Sequence, residues 1–485
     1  MRTIIGLFTL AALLLGACSK KFIDIDPVST VSVDQVYKTD NDFQNATNGV
    51  YAVFQTEYAN FWQYGDVRGD DTKSGLVGNL PVSDMDKFIL NNDADILIQT
   101  WRNYYKAIYR ANIILDRIGK LTTATVANKD RYTGEAKFLR ALAYFNLVRI
   151  FGDVPLVTTP LTVEETYKVS REKVNTIYDK LIVADLQDAE TKLPKSYTGA
   201  DIGRATMGAA KSLLGKVYLT RHDFPKAEAK LQEVTTLGYS LLPNYKDLFD
   251  YTRNEHHSEY IFDIEYEEGI NEGSIFTTQF SLSFQGAGTL ANVMATAYGL
   301  PAAGGGDQGC PTDFLFNNYD TNDTRKAISV AKGLTVNGVY TPISPTGIGS
   351  FTLKYLTPMA KANDSRANWK VIRYADVLLM YAEALNENGK TTDALTYLNM
   401  VRTRAHVPTY SGLTQDDTRE KIYLERRFEF YLEGQRWFDL VRTGRALSTM
   451  SSLGMKDYMT IFPIPQAQIE IINDPSVLPQ NPGYN

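Results

Sequence analysis

The sequence predicts a mostly α-helical protein, a superhelix of tetratricopeptide-like repeats interrupted by an irregular, loop-rich insertion with short β segments. Two stretches, Arg373–Arg402 and Arg204–Val234, place small and apolar residues at the spacing of that repeat. A third stretch, residues 259–357, contains a β-like segment and is otherwise rich in Gly, Ser, Thr and Ala without a helical period. We expect this insertion to lie over the repeats, because loops on a rigid scaffold commonly carry binding specificity.

Small residues stand in both repeats where two helices must approach closely. Ala382 and Ala394 are twelve positions apart in the C-terminal repeat, and Gly215 and Ala227 are twelve apart in the central one. Gly389 follows an asparagine and marks the turn between the two C-terminal helices. We therefore expect these positions to serve the scaffold rather than a functional site.

One long helix is predicted over Ile422–Arg442, with a charged stripe beside its apolar faces. The stripe consists of Arg426, Glu429, Glu433 and Arg436. It has two interpretations, a carboxylate pair for acid–base chemistry or an ion-pair network that ties the helix to its neighbour. We favour the network, because each glutamate has an arginine on its own helical face, which stabilises the ionised form.

The remaining predicted helices show the apolar period of a packed helix, and they span residues 34–57, 96–118, 134–151 and 178–193. The polar segment Asn60–Pro81 follows the first of them and is expected to be a loop. In the insertion, Asp320, Asn322 and Asp323 are expected to form a turn before Arg325. A Ca²⁺ loop is disfavoured there because no glycine or bidentate glutamate stands at the required offset.

Residues 1–17 have the pattern of a bacterial lipoprotein signal peptide. Arg2 supplies a positive charge, and the apolar stretch Ile4–Leu15 is too short to span a bilayer as a helix. Leu-Gly-Ala-Cys then ends at Cys18 and resembles a lipobox at all four positions. We therefore favour lipidation of Cys18 over an ordinary cleaved signal with an incidental cysteine. Residues 18–33 would be the lipidated cysteine and a tether, held at a membrane by the acyl chains.

Composition bounds the classes of function. The 485 residues are 44% apolar and 22% charged with a net charge of −6, so a sizeable core is expected and a nucleic-acid partner is not. Only two cysteines and four histidines occur, which argues against a disulfide framework and against a zinc site. No metal and no cofactor are predicted.

The common catalytic motifs do not occur in the sequence. HExxH, GxSxG and a phosphate-binding loop are all missing, although Gly304-Gly305-Gly306 is glycine-rich. A glycosidase needs only two carboxylates, and 56 acidic residues make chance pairs common. A helical-repeat scaffold favours binding over chemistry, so we predict a protein that is not an enzyme.

Four segments together resemble the SusD/RagB family of Bacteroidetes outer-membrane lipoproteins, and they occur in that family's order. They are GEAKFLRALAYFNLVRIFGDVPLV (Gly134–Val157), VIRYADVLLMYAEALNE (Val371–Glu387), ERRFEFYLEGQRWFDLVR (Glu425–Arg442) and FPIPQAQIEIINDPSVLPQNPGY (Phe462–Tyr484). The resemblance implies that residues 34–485 form one SusD-like domain. It also implies a non-enzymatic, carbohydrate-binding lipoprotein on the outer face of the outer membrane. Such a protein serves polysaccharide utilisation by passing a captured glycan to a SusC-like TonB-dependent transporter.

The family places its ligand-binding groups in the N-terminal loop and in the central insertion. Mapped loosely onto this chain, the first set is Asn60, Trp62, Tyr64, Asp66 and Arg68, and the second set is Phe284, Tyr298 and Tyr340. Trp62 is the preferred sugar-stacking residue, and packing under a loop is its alternative role. Trp101 and Trp437 lie on apolar helix faces and are assigned to the core, whereas Trp369 is left undecided.

Two alternatives to glycan capture stay open at this point. The RagB branch of the family implies a peptide or another nutrient as the ligand, and a third hypothesis is a structural scaffold for surface enzymes. A ligand site predicts aromatic rings in a concave patch with polar groups beside them, whereas a scaffold predicts a broad apolar surface without a cleft. The sequence leaves the identity of the sugar open.

Overall fold

The computed structural model describes residues 36–75, 80–121, 126–253, 255–301, 304–344 and 347–484. The predicted signal peptide, Cys18 and the tether lie outside the described residues. Within the described ranges, no helix is both long enough and apolar enough to cross a membrane.

Successive helices that pack on their neighbours make up the N-terminal half. In chain order its elements are α1 (Asp40–Tyr58), β1 (Thr72–Lys73), α2 (Leu80–Asp86), α3 (Asp95–Gly119), α4 (Lys129–Phe151), β2 (Val154–Pro155), α5 (Val163–Thr166), β3 (Arg171–Glu172), α6 (Val174–Ile177), α7 (Val183–Lys192), α8 (Met207–Thr220) and α9 (Phe224–Thr235). Helix α3 packs on α1 and α4, α4 on α7, α7 on α8, and α8 on α9. The mostly helical repeat fold predicted from the sequence is confirmed.

The insertion lies between two strands that pair with each other. The elements from the first strand to the second are β4 (Tyr260–Ile264), α10 (Phe276–Phe280), α11 (Phe284–Ala287), α12 (Thr289–Tyr298), β5 (Cys310–Pro311), α13 (Asp313–Asn318), α14 (Lys326–Ser329), β6 (Gly333–Val336), β7 (Val339–Pro342) and β8 (Trp369–Arg373). Strands β4 and β8 are antiparallel, with Ile264 opposite Trp369. The insertion is loop-rich as predicted, although α12 is a regular helix, and it has an apolar cluster of its own around Leu290 and Met294.

The C-terminal part returns to packed helices. Its helices are α15 (Tyr374–Glu387), α16 (Thr391–Arg404), α17 (Gln415–Glu429), α18 (Arg436–Arg442), α19 (Ala446–Met450) and α20 (Gln466–Ile472). The predicted small residues serve close helix contacts: Ala382 and Ala394 are fully buried, and a Cβ on Gly215 would lie 2.6 Å from the Leu231 side chain. Gly389 turns the chain between α15 and α16 with φ of 76°.

Short helical turns of other types connect these elements. The π-helical turns are Gln63–Val67 and Tyr178–Ile182, and the 3₁₀ turns are Gly199–Asp201, Tyr245–Phe249, Ser451–Leu453 and Asp457–Thr460. The second π turn joins α6 to α7, so the helix predicted from residue 178 begins at Val174 instead. The turn predicted before Arg325 is confirmed, because the Asp323 carboxylate accepts the Arg325 backbone N–H at 2.9 Å.

The predicted single helix over Ile422–Arg442 is wrong, because the chain breaks between α17 and α18. Leu432 and Gly434 take left-handed backbone conformations, with φ of 58° and 72°, which a continuing α-helix does not allow. A Cβ on Gly65 would overlap the backbone of Gly434, so two glycines let these segments touch. Helical periodicity carries no information about such a distant contact.

A cluster of buried ionic side chains joins the insertion to the C-terminal helices, and we call it the Glu429 cluster. Its members are Glu259, Asp323, Arg325, Lys354, Arg373, Arg402, Arg404, Glu425, Glu429 and Glu433. The Glu429 carboxylate pairs with Arg325 at 2.9 Å and also with Arg373 and Arg404. Burial alone would raise the pKa of Glu429, but these three guanidiniums hold it well below its ordinary value.

The charged stripe is therefore an ion-pair network, as preferred from the sequence, although its members pair with other elements and not with one another. Arg373 bridges Glu429 and Glu433, reaching the latter at 2.7 Å. Arg426 pairs with Asp376 at 2.8 Å, and Arg436 pairs with Asp70 of the N-terminal segment at 2.6 Å. Each of these carboxylates pairs with a cation that stabilises its ionised form. This indicates a structural role and argues against proton transfer.

Glu57 is a buried carboxylate that has no ion-pair partner among the described residues. Glu57 on α1 is 3% exposed and accepts hydrogen bonds from the Thr100 hydroxyl at 2.7 Å and from the Asn103 amide at 3.1 Å. Burial raises its pKa to about 7, and the two hydrogen bonds only partly oppose this. The folded protein therefore holds the proton on Glu57 more tightly than the unfolded chain does.

Substitution of Glu429 tests the ionic cluster. We expect Glu429→Gln to lower the free energy of unfolding by about 3–5 kcal/mol at pH 7, because buried guanidiniums lose their counter-charge. A depressed carboxyl pKa stabilises the fold above the ordinary value of 4.5 and loses that contribution as pH falls. The difference from the wild type should thus shrink below pH 4.5 in urea titrations.

Glu420→Gln is the matched control, because the Glu420–Arg445 pair is solvent-exposed, and a loss below about 1 kcal/mol is expected. Equal losses for the two variants would show that the buried cluster has no special role in stability.

Glu57→Gln should alter the pH dependence of stability. Because the folded pKa of Glu57 is about 7 and its ordinary value is 4.5, wild-type stability falls as pH rises between them. The variant lacks this loss, so its stability relative to the wild type should increase by about 2–3 kcal/mol from pH 5 to pH 8. Glu165→Gln, at the exposed start of α5, should show no such trend. A constant difference for Glu57→Gln in urea titrations would refute the proposed proton uptake.

Candidate functional site

The N-terminal segment predicted as a ligand-binding loop is instead a buried turn. After α1, the chain continues through a π-helical turn that turns Trp62, Tyr64, Asp66 and Arg68 into the protein, where each is at most 2% exposed. The Trp62 indole N–H donates to the Ala59 carbonyl at 3.1 Å, and its ring lies edge-on to Phe280. The surface role expected for Trp62, Tyr64 and Asp66 is therefore corrected, because all three side chains are buried.

Asp66 has a structural task that the sequence did not suggest. Its carboxylate accepts the Gly434 backbone N–H at 2.7 Å, at the break between α17 and α18. Burial raises its pKa well above the ordinary range, with the Gly434 bond and the charge of Lys354 acting against this. Tyr64 is similarly committed, since its hydroxyl donates to the Ile96 carbonyl at 3.2 Å.

Three of the other sequence-predicted residues remain at the surface. Asn60 is exposed, and Phe284 and Tyr340 of the insertion are 60% and 58% exposed. Tyr298 is half-buried against the apolar cluster of the insertion. Ligand contact by Asn60, Phe284, Tyr298 and Tyr340 stays a prediction.

The N-terminal segment and the insertion do share an edge. Strand β1 pairs antiparallel with β5, with Lys73 opposite Cys310. The Gly75 N–H donates to the Gln308 side chain at 3.4 Å, and the Ser74 N–H donates to the Asp86 carboxylate at 3.1 Å. The two regions that the family resemblance singled out therefore meet, but through segments next to the predicted residues.

Arg68 lines a cleft of about 240 Å³ that we call the Arg68 cleft. Its guanidinium stacks on Phe88, 3.8 Å from the ring centroid, and also faces Phe462 at 4.8 Å. It donates to the carbonyls of Met85 at 3.1 Å and Met459 at 3.4 Å. No carboxylate pairs with Arg68 among the described residues, and burial lowers its pKa to about 10.

Aromatic rings and amides surround this cation. The described lining comprises Arg68, Phe88, Ile89, Leu90, Asn91, Asn92, Tyr458, Met459, Phe462, Pro463, Gly483 and Tyr484. Tyr458 and Tyr484 lie edge-to-face with centroids 4.8 Å apart, and Gly483 leaves room for the Tyr458 ring. Rings that stack on apolar sugar faces, next to amides that bond hydroxyls, form a suitable saccharide site.

Sequence reasoning found Arg68 but missed the aromatic residues of this cleft. The family-like C-terminal segment contains Phe462 and Tyr484, and that was the only available signal. Nothing in the sequence places these residues beside Phe88, nearly 400 positions earlier in the chain.

Comparison with known families identifies the chain. Residues 344–484 match the family model described as the SusD family, and residues 21–219 match the one described as starch-binding associating with outer membrane. The chain belongs to the SusD/RagB family. The resemblance predicted from sequence motifs is thereby confirmed.

Individual SusD/RagB relatives match along most of the chain. SusD-like protein P25 from Formosa agariphila is 28% identical, with 93% of this chain and 94% of the relative covered. The starch-binding protein SusD from Bacteroides thetaiotaomicron is 26% identical, with 78% and 76% covered. A solved laminarin-binding SusD-like protein is 29% identical with a TM-score of 0.77, covering 92% of this chain and 100% of that one.

Trp62 and Phe284 should separate a core role from a surface role. Trp62→Ala is expected to lower the free energy of unfolding by about 3–5 kcal/mol, because it leaves a large cavity beside Phe280. Phe284→Ala should change stability by less than about 0.5 kcal/mol, since its ring is exposed. Urea unfolding followed by circular dichroism measures both. A stable Trp62→Ala protein would contradict the core assignment.

Proposed function

We propose that this protein is a non-enzymatic, lipid-anchored glycan-binding protein of the outer cell surface that delivers oligo- or polysaccharide to a SusC-like TonB-dependent transporter. The observation that carries the proposal is the Arg68 cleft, where Tyr458 and Tyr484 stand beside Asn91 and a buried guanidinium. This is the concave patch of rings and polar groups that distinguishes a ligand site from a scaffold surface.

The charges of the cleft favour binding over hydrolysis. Glycoside hydrolysis uses two carboxyl groups on either side of the scissile bond, and the described lining of the Arg68 cleft contains no Asp or Glu. Elsewhere, Glu429 and Glu433 are bound by arginine and lysine side chains that keep their pKa values below the ordinary range. Neither carboxylate is suited to act as a proton donor near neutral pH.

Names of relatives support a saccharide ligand. The relatives include a starch-binding protein and a laminarin-binding protein, both of which bind glucans according to those names. Anchoring through Cys18 fits a protein that works at a membrane surface, and Cys18 lies outside the described residues, so lipidation and surface exposure stay predictions.

The unpaired Arg68 guanidinium favours a second candidate, a peptide ligand. A cation without a protein counter-ion could bind a carboxylate, and peptides supply one at their C-terminus. The RagB alternative therefore has one observation behind it, whereas the aromatic lining of the cleft favours a sugar.

Affinity electrophoresis of residues 19–485 tests the proposal. Native gels would contain laminarin, starch, xylan, mannan or pectin, and retarded migration with at least one of them is expected. Tyr458→Ala should lower the affinity for that polysaccharide about tenfold, because loss of ring stacking costs about 1–1.5 kcal/mol. Tyr167→Ala is the matched control, since Tyr167 is exposed and does not line the cleft.

Each other outcome has a defined meaning. If the Tyr458→Ala protein is retarded as strongly as the wild type, the Arg68 cleft is not the binding site, although glycan binding itself is supported. If none of the five polysaccharides retards the protein, glycan capture is refuted for this panel, and binding of a random peptide mixture would then support the RagB-type candidate.

A further inference from the structure

A second concave surface lies on another part of the molecule, and we call it the Arg204 groove. It consists of two adjoining pockets of about 350 and 370 Å³ that both contain Ile202, Gly203 and Arg204. Each volume falls within the range of small-ligand sites. The groove has no lining residue in common with the Arg68 cleft.

Close packing of backbone and side chains shapes the ridge between the two pockets. The Tyr260 hydroxyl donates to the Gly203 carbonyl at 3.1 Å, which fixes the ridge to strand β4. Gly203 has φ of 101°, and a Cβ there would lie 2.9 Å from the carboxyl carbon of Glu265. From α1, the Tyr51 hydroxyl accepts the Ala205 backbone N–H at 3.0 Å. The ridge is therefore held in place by strand β4 with the residue after it, and by helix α1.

The cation on this ridge is already occupied by protein groups. Arg204 donates to Asp201 at 2.6 Å, to Glu135 at 3.1 Å and to the Asn48 side chain at 2.7 Å. Asp201 and Glu135 also pair with Arg131, so two carboxylates balance two guanidiniums. Unlike Arg68, this guanidinium has no unmatched charge to offer to an anionic ligand.

The first pocket instead offers an acceptor that lacks a partner. Asp263 is 2% exposed and lines this pocket. Its Oδ2 faces Lys370 Nζ at 3.2 Å, whereas its Oδ1 has no hydrogen-bond partner among the described residues. A buried acceptor without a donor is costly, so a ligand that brings a donor would relieve this cost. Glu265 and Glu272 line the same pocket and add further acceptors.

The second pocket is lined by tyrosines. Tyr197, Tyr239 and Tyr260 all contribute, and the buried Tyr197 hydroxyl has no hydrogen-bond partner in the part of the chain that the structure describes. A ligand that enters both pockets would thus meet acceptor carboxylates on one side of the ridge and aromatic rings with a free hydroxyl on the other. Donor hydroxyls joined to apolar ring faces are the chemistry of sugars.

We infer that the Arg204 groove is a second saccharide site, which takes neutral, hydroxyl-rich sugar units and excludes anionic ones. Three carboxylates, Asp263, Glu265 and Glu272, line its first pocket. Lys370 pairs with Asp263 and His256 pairs with Glu265, and Arg204, the arginine in the described lining of that pocket, is neutralised by other groups. A sugar hydroxyl can donate to the free Asp263 oxygen, whereas a uronate would bring a negative charge against these acids.

Isothermal titration calorimetry of residues 19–485 tests the groove with a fixed panel of probes. The neutral probes are laminarihexaose, maltohexaose, cellohexaose, xylohexaose and mannohexaose, and the anionic probe is trigalacturonic acid. We expect at least one neutral hexasaccharide to bind with a component that Ile202→Trp weakens at least tenfold. Ile202 is 44% exposed at the junction, so the added ring fills the groove without entering the core. Ile270→Trp, at an exposed position outside the lining, is the matched control.

Two further variants make the result specific. The component lost in Ile202→Trp should persist in Tyr458→Ala, which separates the groove from the Arg68 cleft. Glu272→Lys, at an exposed position on the rim, should raise the affinity for trigalacturonic acid at least threefold.

The inference is overturned if no neutral hexasaccharide shows binding that depends on Ile202. It is also overturned if the unaltered protein binds trigalacturonic acid as tightly as the neutral probes through a component that Ile202→Trp removes. Binding that depends only on Tyr458 would uphold the proposed function and remove the groove, so the two hypotheses fail separately.

Discussion

The buried pairing of Arg373 with Glu429 and Glu433 is the interaction on which the other parts of the molecule depend. Arg373 ends strand β8 and directly precedes α15, whereas Glu429 ends α17 and Glu433 lies within the break before α18. Arg325 and Lys354 bring the insertion to the same carboxylates. A buried charge that loses its partner is strongly destabilising. The ion pairs therefore fix the repeats and the insertion relative to each other.

The break in the C-terminal helix links this cluster to the candidate ligand site. Gly434 packs on Gly65 and donates to Asp66, so the turn after α1 is held where the helix is interrupted. Helix α18 then places Trp437 under the Arg68 guanidinium, 5.4 Å from the ring centroid. Trp62, Tyr64 and Asp66, which sequence reasoning assigned to ligand contact, therefore lie below the surface, whereas Arg68 lines the cleft.

Local patterns predicted the scaffold well because its contacts are local. Ala382 and Ala394, or Gly215 and Ala227, lie on the two packed helices of one hairpin, and their spacing reflects that local packing. The long helix and the exposed Trp62 were wrong because Gly65 and Phe280 reach these sites from distant parts of the chain. Helical periodicity predicts which face of a helix is apolar. It does not predict whether residues distant in the sequence bury a polar turn.

The Arg68 cleft and the Arg204 groove differ in which charged or polar group lacks a protein partner among the described residues. This difference affects which ligands each surface favours. In the Arg68 cleft a cation is stacked between rings and no carboxylate pairs with it within the described residues, so acceptor-rich or acidic groups are tolerated. In the Arg204 groove the cation is neutralised, and no described residue donates to one carboxylate oxygen of Asp263. A ligand gains most when it supplies the partner that the protein does not. Our two proposals therefore assign a sugar with acceptor or acidic groups to the Arg68 cleft and a neutral sugar to the Arg204 groove.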